Sequence, residues 1–534
     1  MLESHQTWTR RVAELALRWR LVLEAAAFGI AFVALCCFYH AYSSKIAGGA
    51  DAYGYVSEAI RLSQGRFYEA ERVFAPFGLA ENSHLTHPLG YVPRGSEGTI
   101  PTYPFGYPLL MAAAIRVVGL DGAFWVTPLL AAGAVLLTYA LGRQLSGPAT
   151  GVLAASAVFL LPNYSVSAFQ PMSDVPATFF AALALVLLLA RRPGPYGRLA
   201  LAATLGVAIW IRPNMALLVV PAFGWLVWRR EWRHLLYCCL ALAPFLAVEA
   251  LVNQHLYGQP WTTGYGSIPY SSPAEALARG VRHLLRLQEQ QAGVGLVLVG
   301  IGLAIGQLPR SVRVLLLSIG VLFLIYFAFY PIDDAWWYGR FLLPGLPALA
   351  VLEAAGLVRL FKMFPTQSPF RLPTRLTTRQ VSMLAAAIGL TYFALASWNF
   401  ARRHGVFTLV RYDGRYLDAA RLVSATLPRP ALLLSMQHSG SLRFYADVPT
   451  TRYDVGDTAE FAALLQHVQA HGAPIYLLVD DWELADIRRG DRAWLLDGAQ
   501  RVESLFAPRP EKVLLFRLAD VADRASISTG DPED

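Results

Sequence analysis

At 534 residues, 55% hydrophobic and only 15% charged, with a mean hydropathy of +0.41, the chain is too apolar for an ordinary soluble protein and reads as polytopic in a membrane. The net charge of +8 would suggest a nucleic-acid partner in a soluble domain. Here the basic residues cluster in short loops between apolar segments, so topology accounts for them and no nucleic acid is expected. Arginine carries nearly all of that charge, lysine occurring only at Lys45, Lys362 and Lys512. With the abundance of alanine, this bias points to a GC-rich bacterial genome.

A helix needs about 20 apolar residues to cross the hydrocarbon core. Taken in order, the candidate spans are Leu21–Tyr42, Gly122–Leu141, Gly151–Val166, Val175–Ala190, Leu199–Ile211, Met215–Trp228, Leu235–Val252, Gly293–Gln307, Val314–Tyr330, Phe341–Val358 and Val381–Phe400. That is about eleven transmembrane helices, several of them short. The first is long and lacks a clean small-residue cleavage site, so it is expected to stay as an anchor. Arg10, Arg11, Arg18 and Arg20 precede it, which places the N-terminus in the cytoplasm. Counting alternately, every later inside loop is basic: Arg143; Arg191, Arg192 and Arg198; Arg229, Arg230 and Arg233; Arg310 and Arg313; and Arg359, Lys362, Arg371, Arg375 and Arg379.

The stretch Pro104–Val118 is left over. It is short, interrupted by Gly106 and Pro108, and holds Arg116, so a helix lying in the outer interface is expected. The first outer loop then covers residues 43–121, far longer than an ordinary connection. A second outer loop, Asn253–Ala292, carries PAEALARGVRHLLRLQEQQ, with the spacing of another surface helix. An odd number of crossings puts residues 402–534 outside. There ALLLSM, PIYLLVDD and KVLLFRL read as strands and EFAALLQHVQAHG as an amphipathic helix. The expected division is a membrane domain at 1–401 and a small extracytoplasmic α/β domain at 402–534. Cys36, Cys37, Cys238 and Cys239 lie in apolar segments without metal-ligand spacing.

Polar residues with chemical potential gather at outer ends of spans. Asp51 lies in GGADAYGYVSEAIRLSQGRF, just past the first span, and Tyr55 follows it by one helical turn. Asp174, in QPMSDVPA, precedes the fourth span. As a first-turn acid it would also be explained by helix capping alone. Arg212, in WIRPN, falls at an outer boundary, where the charge rule disfavours arginine. A bound anion such as phosphate would hold it there, as would snorkelling to lipid headgroups. The loop YPIDDAWWYGRFLLP offers Asp333, Asp334 and Arg340, and NQHLYGQPWTTGYG offers His255 and Tyr265. Phosphate-loop, dinucleotide, HExxH and GxSxG motifs are absent from the sequence.

Taken together, the first-loop Asp51 and Tyr55, YPFGYPLLMA, SDVPA, WIRPN and RFLLPGLP run in the order found in a known family. The chain resembles GT-C fold glycosyltransferases that use polyprenyl-phosphate sugars, such as the protein O-mannosyltransferases and the lipid A aminoarabinose transferases. Two positions depart from those relatives. Gly54 stands where the aminoarabinose transferases carry a basic residue, for which Lys45 or Arg61 would have to substitute. Ala52 follows Asp51 where eukaryotic mannosyltransferases carry a second acid. The resemblance implies an inverting transfer on the outer face of the inner membrane. The donor is a polyprenyl-phosphate sugar and the acceptor a lipid, glycan or protein hydroxyl. Asp51 is the base and Asp174 its assistant. Arg212, Arg340 and Lys45 hold phosphate, with Tyr55, His255, Tyr265 and Asp333 beside the substrate. A divalent cation shared by Asp51 and Asp174 stays open. The alternative from another class is a lipid-linked glycan flippase or transporter, which would need charges at mid-span depth.

Overall fold

A computed structural model describes residues 2–67, 74–79, 84–94, 98–191, 193–266, 271–291, 293–330, 335–363, 378–506 and 512–518. The membrane part is helical. It runs α1 (Leu2–Tyr42), α2 (Asp51–Ser63), a two-stranded hairpin β1 (Tyr91–Pro93) and β2 (Thr99–Pro101), α3 (Gly106–Val118), α4 (Asp121–Ser146), α5 (Pro148–Leu160) and α6 (Pro162–Ala168). It continues through α7 (Asp174–Leu188), α8 (Pro195–Ile211), α9 (Ala216–Trp228), α10 (Trp232–Tyr257), α11 (Pro273–Gln290), α12 (Gly295–Ile305), α13 (Arg310–Phe329), a 3-10 helix Trp336–Gly345, α14 (Leu346–Met363) and α15 (Thr378–Arg403). Each apolar segment picked out in the sequence falls on one of these helices or on an adjacent pair.

The chain is a multi-pass membrane protein. Among the described residues, five helical segments are long and apolar enough to cross: Val22–Tyr42, Asp121–Ser146, Trp232–Tyr257, Arg310–Phe329 and Trp336–Met363. α5 and α6, bent by 66° at their junction, would make a sixth. α7, α8, α9 and α12 are shorter, at 15, 17, 13 and 11 residues. α8 and α9 are separated at Arg212–Pro213. Pro213 has no N–H to continue α8 and forces Arg212 into an extended conformation, φ −150° and ψ 118°. The leftover apolar stretch is the 13-residue α3, whose C-terminal Val117 and Val118 are exposed.

Small residues let the helices touch backbone to backbone, which is how helices associate where lipid is as apolar as side chains. A methyl on Gly302 of α12 would stand 2.1 Å from the Leu352 carbonyl of α14, and one on Gly356 would stand 2.6 Å from the Gly302 nitrogen.

After α15 the chain changes character. α16 (Leu409–Thr426), β3 (Leu432–Leu434), α17 (Ser439–Ala446), β4 (Thr450–Thr451), α18 (Thr458–Ala470), β5 (Ile475–Asp480), α19 (Asp481–Arg489), β6 (Gln500–Phe506) and β7 (Lys512–Leu518) build a five-stranded sheet in the order β4-β3-β5-β7-β6. β3 runs parallel to β4 and β5, and β7 antiparallel to β5 and β6. Side chains alternate across it. Leu432, Leu434, Leu477 and Val479 meet α18 on one face, while Leu433 and Leu478 meet α16 and α17 on the other. The four segments singled out in the sequence are β3, β5, β7 and α18. The edge strands β4 and β6 were not legible there.

The tail's core is not made by the tail alone. Phe74, Phe77 and Leu85 of the first loop are buried in it beside Phe461 and Leu477. Arg443 donates to the Thr86 carbonyl at 2.5 Å, Thr451 donates to that of Leu85, and the Leu89 N–H donates to Ser439 Oγ at 3.0 Å. The first loop is thereby stretched between membrane helices and sheet.

Candidate active site

Two carboxylates open two helices. Asp51 is the first residue of α2 and Asp174 the first of α7. In that place each side chain stands at the positive end of its helix dipole. Each meets a guanidinium from a distant element. Arg340, from the 3-10 helix, reaches Asp51 Oδ2 at 2.9 Å. Arg212, at the break between α8 and α9, pairs with Asp174 Oδ1. Both guanidinia lie over Phe341, at 5.0 Å for Arg212 and 5.6 Å for Arg340.

Aromatic hydroxyls complete the frame. The Tyr103 hydroxyl lies beside Asp51 on the same cavity, and Tyr55 shares a 2.7 Å hydrogen bond with Ser173. Burial, reinforced by the Asp51 charge, pushes the Tyr103 hydroxyl well above its ordinary range, so it remains a donor. The Tyr55 hydroxyl is likewise pushed up by burial. The position of Gly54 has a steric reason: a methyl there would stand 2.3 Å from the Tyr103 ring. A longer side chain at that place is incompatible with Tyr103 standing over Asp51.

These groups face a cavity of about 530 Å³, lined also by Asn214, Tyr330, Tyr338, His87, Tyr91 and Arg452. Among the described residues, Arg340 Nε and both amide atoms of Asn214 are buried without a hydrogen-bond partner, which leaves polar capacity at the cavity wall. Arg452 comes from the tail and is held by Asp454 through two contacts of 3.0 and 2.6 Å. Burial, with Arg452 close by, pushes His87 down to about 4, so that ring is neutral at physiological pH.

Of the residues expected from sequence, Asp51, Tyr55, Asp174, Arg212, Tyr265 and Arg340 come together on this cavity. Lys45 does not; it is exposed on the segment before α2. His255 is also absent from the lining and packs edge-on to Phe67 at 6.2 Å. Asp333 and Asp334 lie outside the described residues. Arg61 is not part of the lining; it donates to the hydroxyl of Tyr91, which is. Asn214 and Tyr103 lie inside WIRPN and YPFGYP, where Arg212 and the apolar run carry the stronger sequence signal. Arg452 had no local signal at all.

A shared cation is a poor match for the carboxylates. Each already pairs with an arginine, and among the described residues no group of three or more His, Cys, Asp and Glu gathers. Two guanidinia at this range repel a divalent ion. The described donors therefore do not fit a metal.

The family model of dolichyl-phosphate-mannose-protein mannosyltransferases matches residues 103–253. That stretch holds Tyr103, Asp174 and Arg212 but neither Asp51 nor Arg340. No curated protein sequence matches the chain. Among solved structures, ArnT from Cupriavidus metallidurans bound to undecaprenyl phosphate is similar with a TM-score of 0.54 at 14% identity, over 93% of this chain and 99% of that one. The Archaeoglobus fulgidus oligosaccharyltransferase in the apo form is similar with a TM-score of 0.52 at 12% identity, over 88% of this chain and 70% of that one. At these identities the likeness is one of fold: the chain has the GT-C architecture, a helical membrane part followed by a small α/β region.

Proposed function

We propose that the protein is an inverting glycosyltransferase that moves a sugar from a polyprenyl-phosphate donor to an acceptor hydroxyl at the outer face of a bacterial inner membrane. The observation that carries this reading is the meeting of two carboxylate–guanidinium pairs, from four separate elements, in one cavity beside unpartnered donors on Arg340 and Asn214. The cavity offers fixed cations for a phosphate and a carboxylate for a hydroxyl. The matched mannosyltransferase model and the undecaprenyl-phosphate-bound ArnT point to the same donor class.

The chemistry follows from the placement. The donor phosphate lies against Arg212, Arg340 and Asn214. Phosphate bound there competes with Asp51 for Arg340, which frees a carboxylate lone pair for the acceptor. The acceptor oxygen attacks the anomeric carbon, its proton passes to Asp51, and the bond from that carbon to the phosphate oxygen breaks with its electron pair staying on phosphate. The transition state is oxocarbenium-like, and negative charge growing on the phosphate meets arginines already in position. Asp174 keeps Arg212 aimed at the cavity. The outer-face assignment rests on the basic loops. It is supported by α7, which has Asp174 at one end while Arg198 donates to the Leu188 carbonyl at the other, 3.1 Å away.

The test is Asp51→Asn in purified protein given a panel of polyprenyl-phosphate sugars. Transfer should fall by about 10²-fold or more with expression unchanged. Near-normal transfer by this variant would sink the assignment of Asp51. Translocation of labelled donor by the native protein without any transfer would favour a flippase instead.

A further inference from the structure

The turn that delivers Asp51 is gripped from the tail. Tyr416, on α16, lays its ring flat against Gly48: a methyl on Gly48 would stand 2.1 Å from Tyr416 Cδ2. At Gly49, whose φ is +61°, a methyl would stand 3.0 Å from the Tyr416 hydroxyl and 3.1 Å from Gln437 Nε2. The ring is itself held. Its hydroxyl accepts from Arg415 Nη2 at 3.0 Å and from Gln437 Nε2 at 2.8 Å. Arg415 pairs at 3.3 Å with Asp480, the last residue of β5, which also meets His438 Nε2 at 2.9 Å.

The gripped turn is continuous with the start of α2. The Gly48 carbonyl accepts the Tyr53 N–H at 3.3 Å, and the Ala50 carbonyl accepts the Gly54 N–H at 2.9 Å. Moving Gly48 therefore moves the first turn of α2, of which Asp51 is the first residue. Polar contacts thus run from Asp480 through Arg415 to Tyr416, whose ring packs on the backbone that carries the carboxylate.

We infer that Tyr416 is a positioning residue for Asp51: the tail sets where the carboxylate stands by pressing one ring on the two-glycine turn before it. This rests on the proposed transferase reading. Displacements of about 1 Å in such sites cost on the order of 10²-fold in rate.

The experiment is a double-mutant cycle in the full-length protein, with kcat and donor KM measured separately. Gly48→Ala is expected to lower kcat on the order of tenfold or more at unchanged donor KM. Adding Tyr416→Ala, which removes the ring in the way, should restore part of that loss. Tyr416→Phe keeps the ring and should give no such rescue. The coupling between the two positions should also appear in Tm, which needs no substrate. A wild-type kcat in G48A, or losses that simply multiply in the double variant, overturns the inference. If G48A does not accumulate, Tyr416→Leu carries the test: a kcat loss at constant KM supports it, an unchanged kcat overturns it. Silence of the native protein toward every lipid-phosphate sugar would instead count against the transferase reading, with the Tm coupling still deciding the grip on the turn.

Discussion

Beside the cavity wall, α2 buries a second acid that the proposed chemistry does not use. Glu58 is 1% exposed, and burial pushes its carboxyl up to about 8 although Arg61 opposes the shift. Among the described residues its Oε2 has no hydrogen-bond partner. It is therefore neutral in the folded protein at pH 7, while in the unfolded chain it ionises near its ordinary 4.5. The sign follows from proton counting: between these values the folded state holds more protons, so stability falls as pH rises from 4.5 towards 8 and levels beyond. Glu58→Gln should flatten that part of the Tm-versus-pH curve and leave the native protein the steeper of the two. Equal slopes in the two proteins would contradict this account of Glu58. The same helix shows what was legible and what was not. Asp51 and Tyr55 stood out as a pair one turn apart, and they do share the cavity. Gly54 read as a missing base, because the ring that occupies its space belongs to Tyr103, far along the chain.

Among the elements, helix identity was legible because lipid demands long apolar runs, and such runs are visible in one dimension. Helix ends and breaks were harder. The α8–α9 break falls where WIRPN separates two short apolar segments, whereas the 66° bend between α5 and α6 lies inside the single apolar segment Gly151–Val166, at Pro162. Packing between helices was not legible, because a glycine that touches a neighbouring backbone looks like any other. Gly302 and Gly300 of α12 make the contrast testable. A methyl at Gly302 meets the Leu352 carbonyl at 2.1 Å, while one at Gly300 meets nothing within 4 Å. Gly302→Ala should cost about 1–3 kcal/mol of stability. Gly300→Ala should be neutral, or stabilise by up to about 1 kcal/mol through helix propensity. Thermal unfolding in detergent distinguishes them, and equal Tm values would show that α12 and α14 are not in backbone contact.

At the level of the whole molecule, the sequence suggested a membrane domain and a separate tail, and it offered no motif in the tail. Arg452, Tyr416 and Gln437 act on the cavity or on its approach from hundreds of residues away, a separation no local pattern records. Phe74, Phe77 and Leu85 tie the first loop into the sheet's core in return. A chain ending at residue 506 keeps every membrane helix but loses β7, the strand between β5 and β6. It should insert normally, yet show a protease-sensitive first loop and no transfer. Full protection of that loop in the truncated chain would refute the dependence. The loop's three apolar anchors also impose an order of events. They are synthesised before nearly all of the membrane helices, and the core that receives them closes only when the last strand is made. Arg452 of the tail lines the cavity, so a chain that stops before the tail holds the membrane part's arginines and carboxylates in an incomplete site.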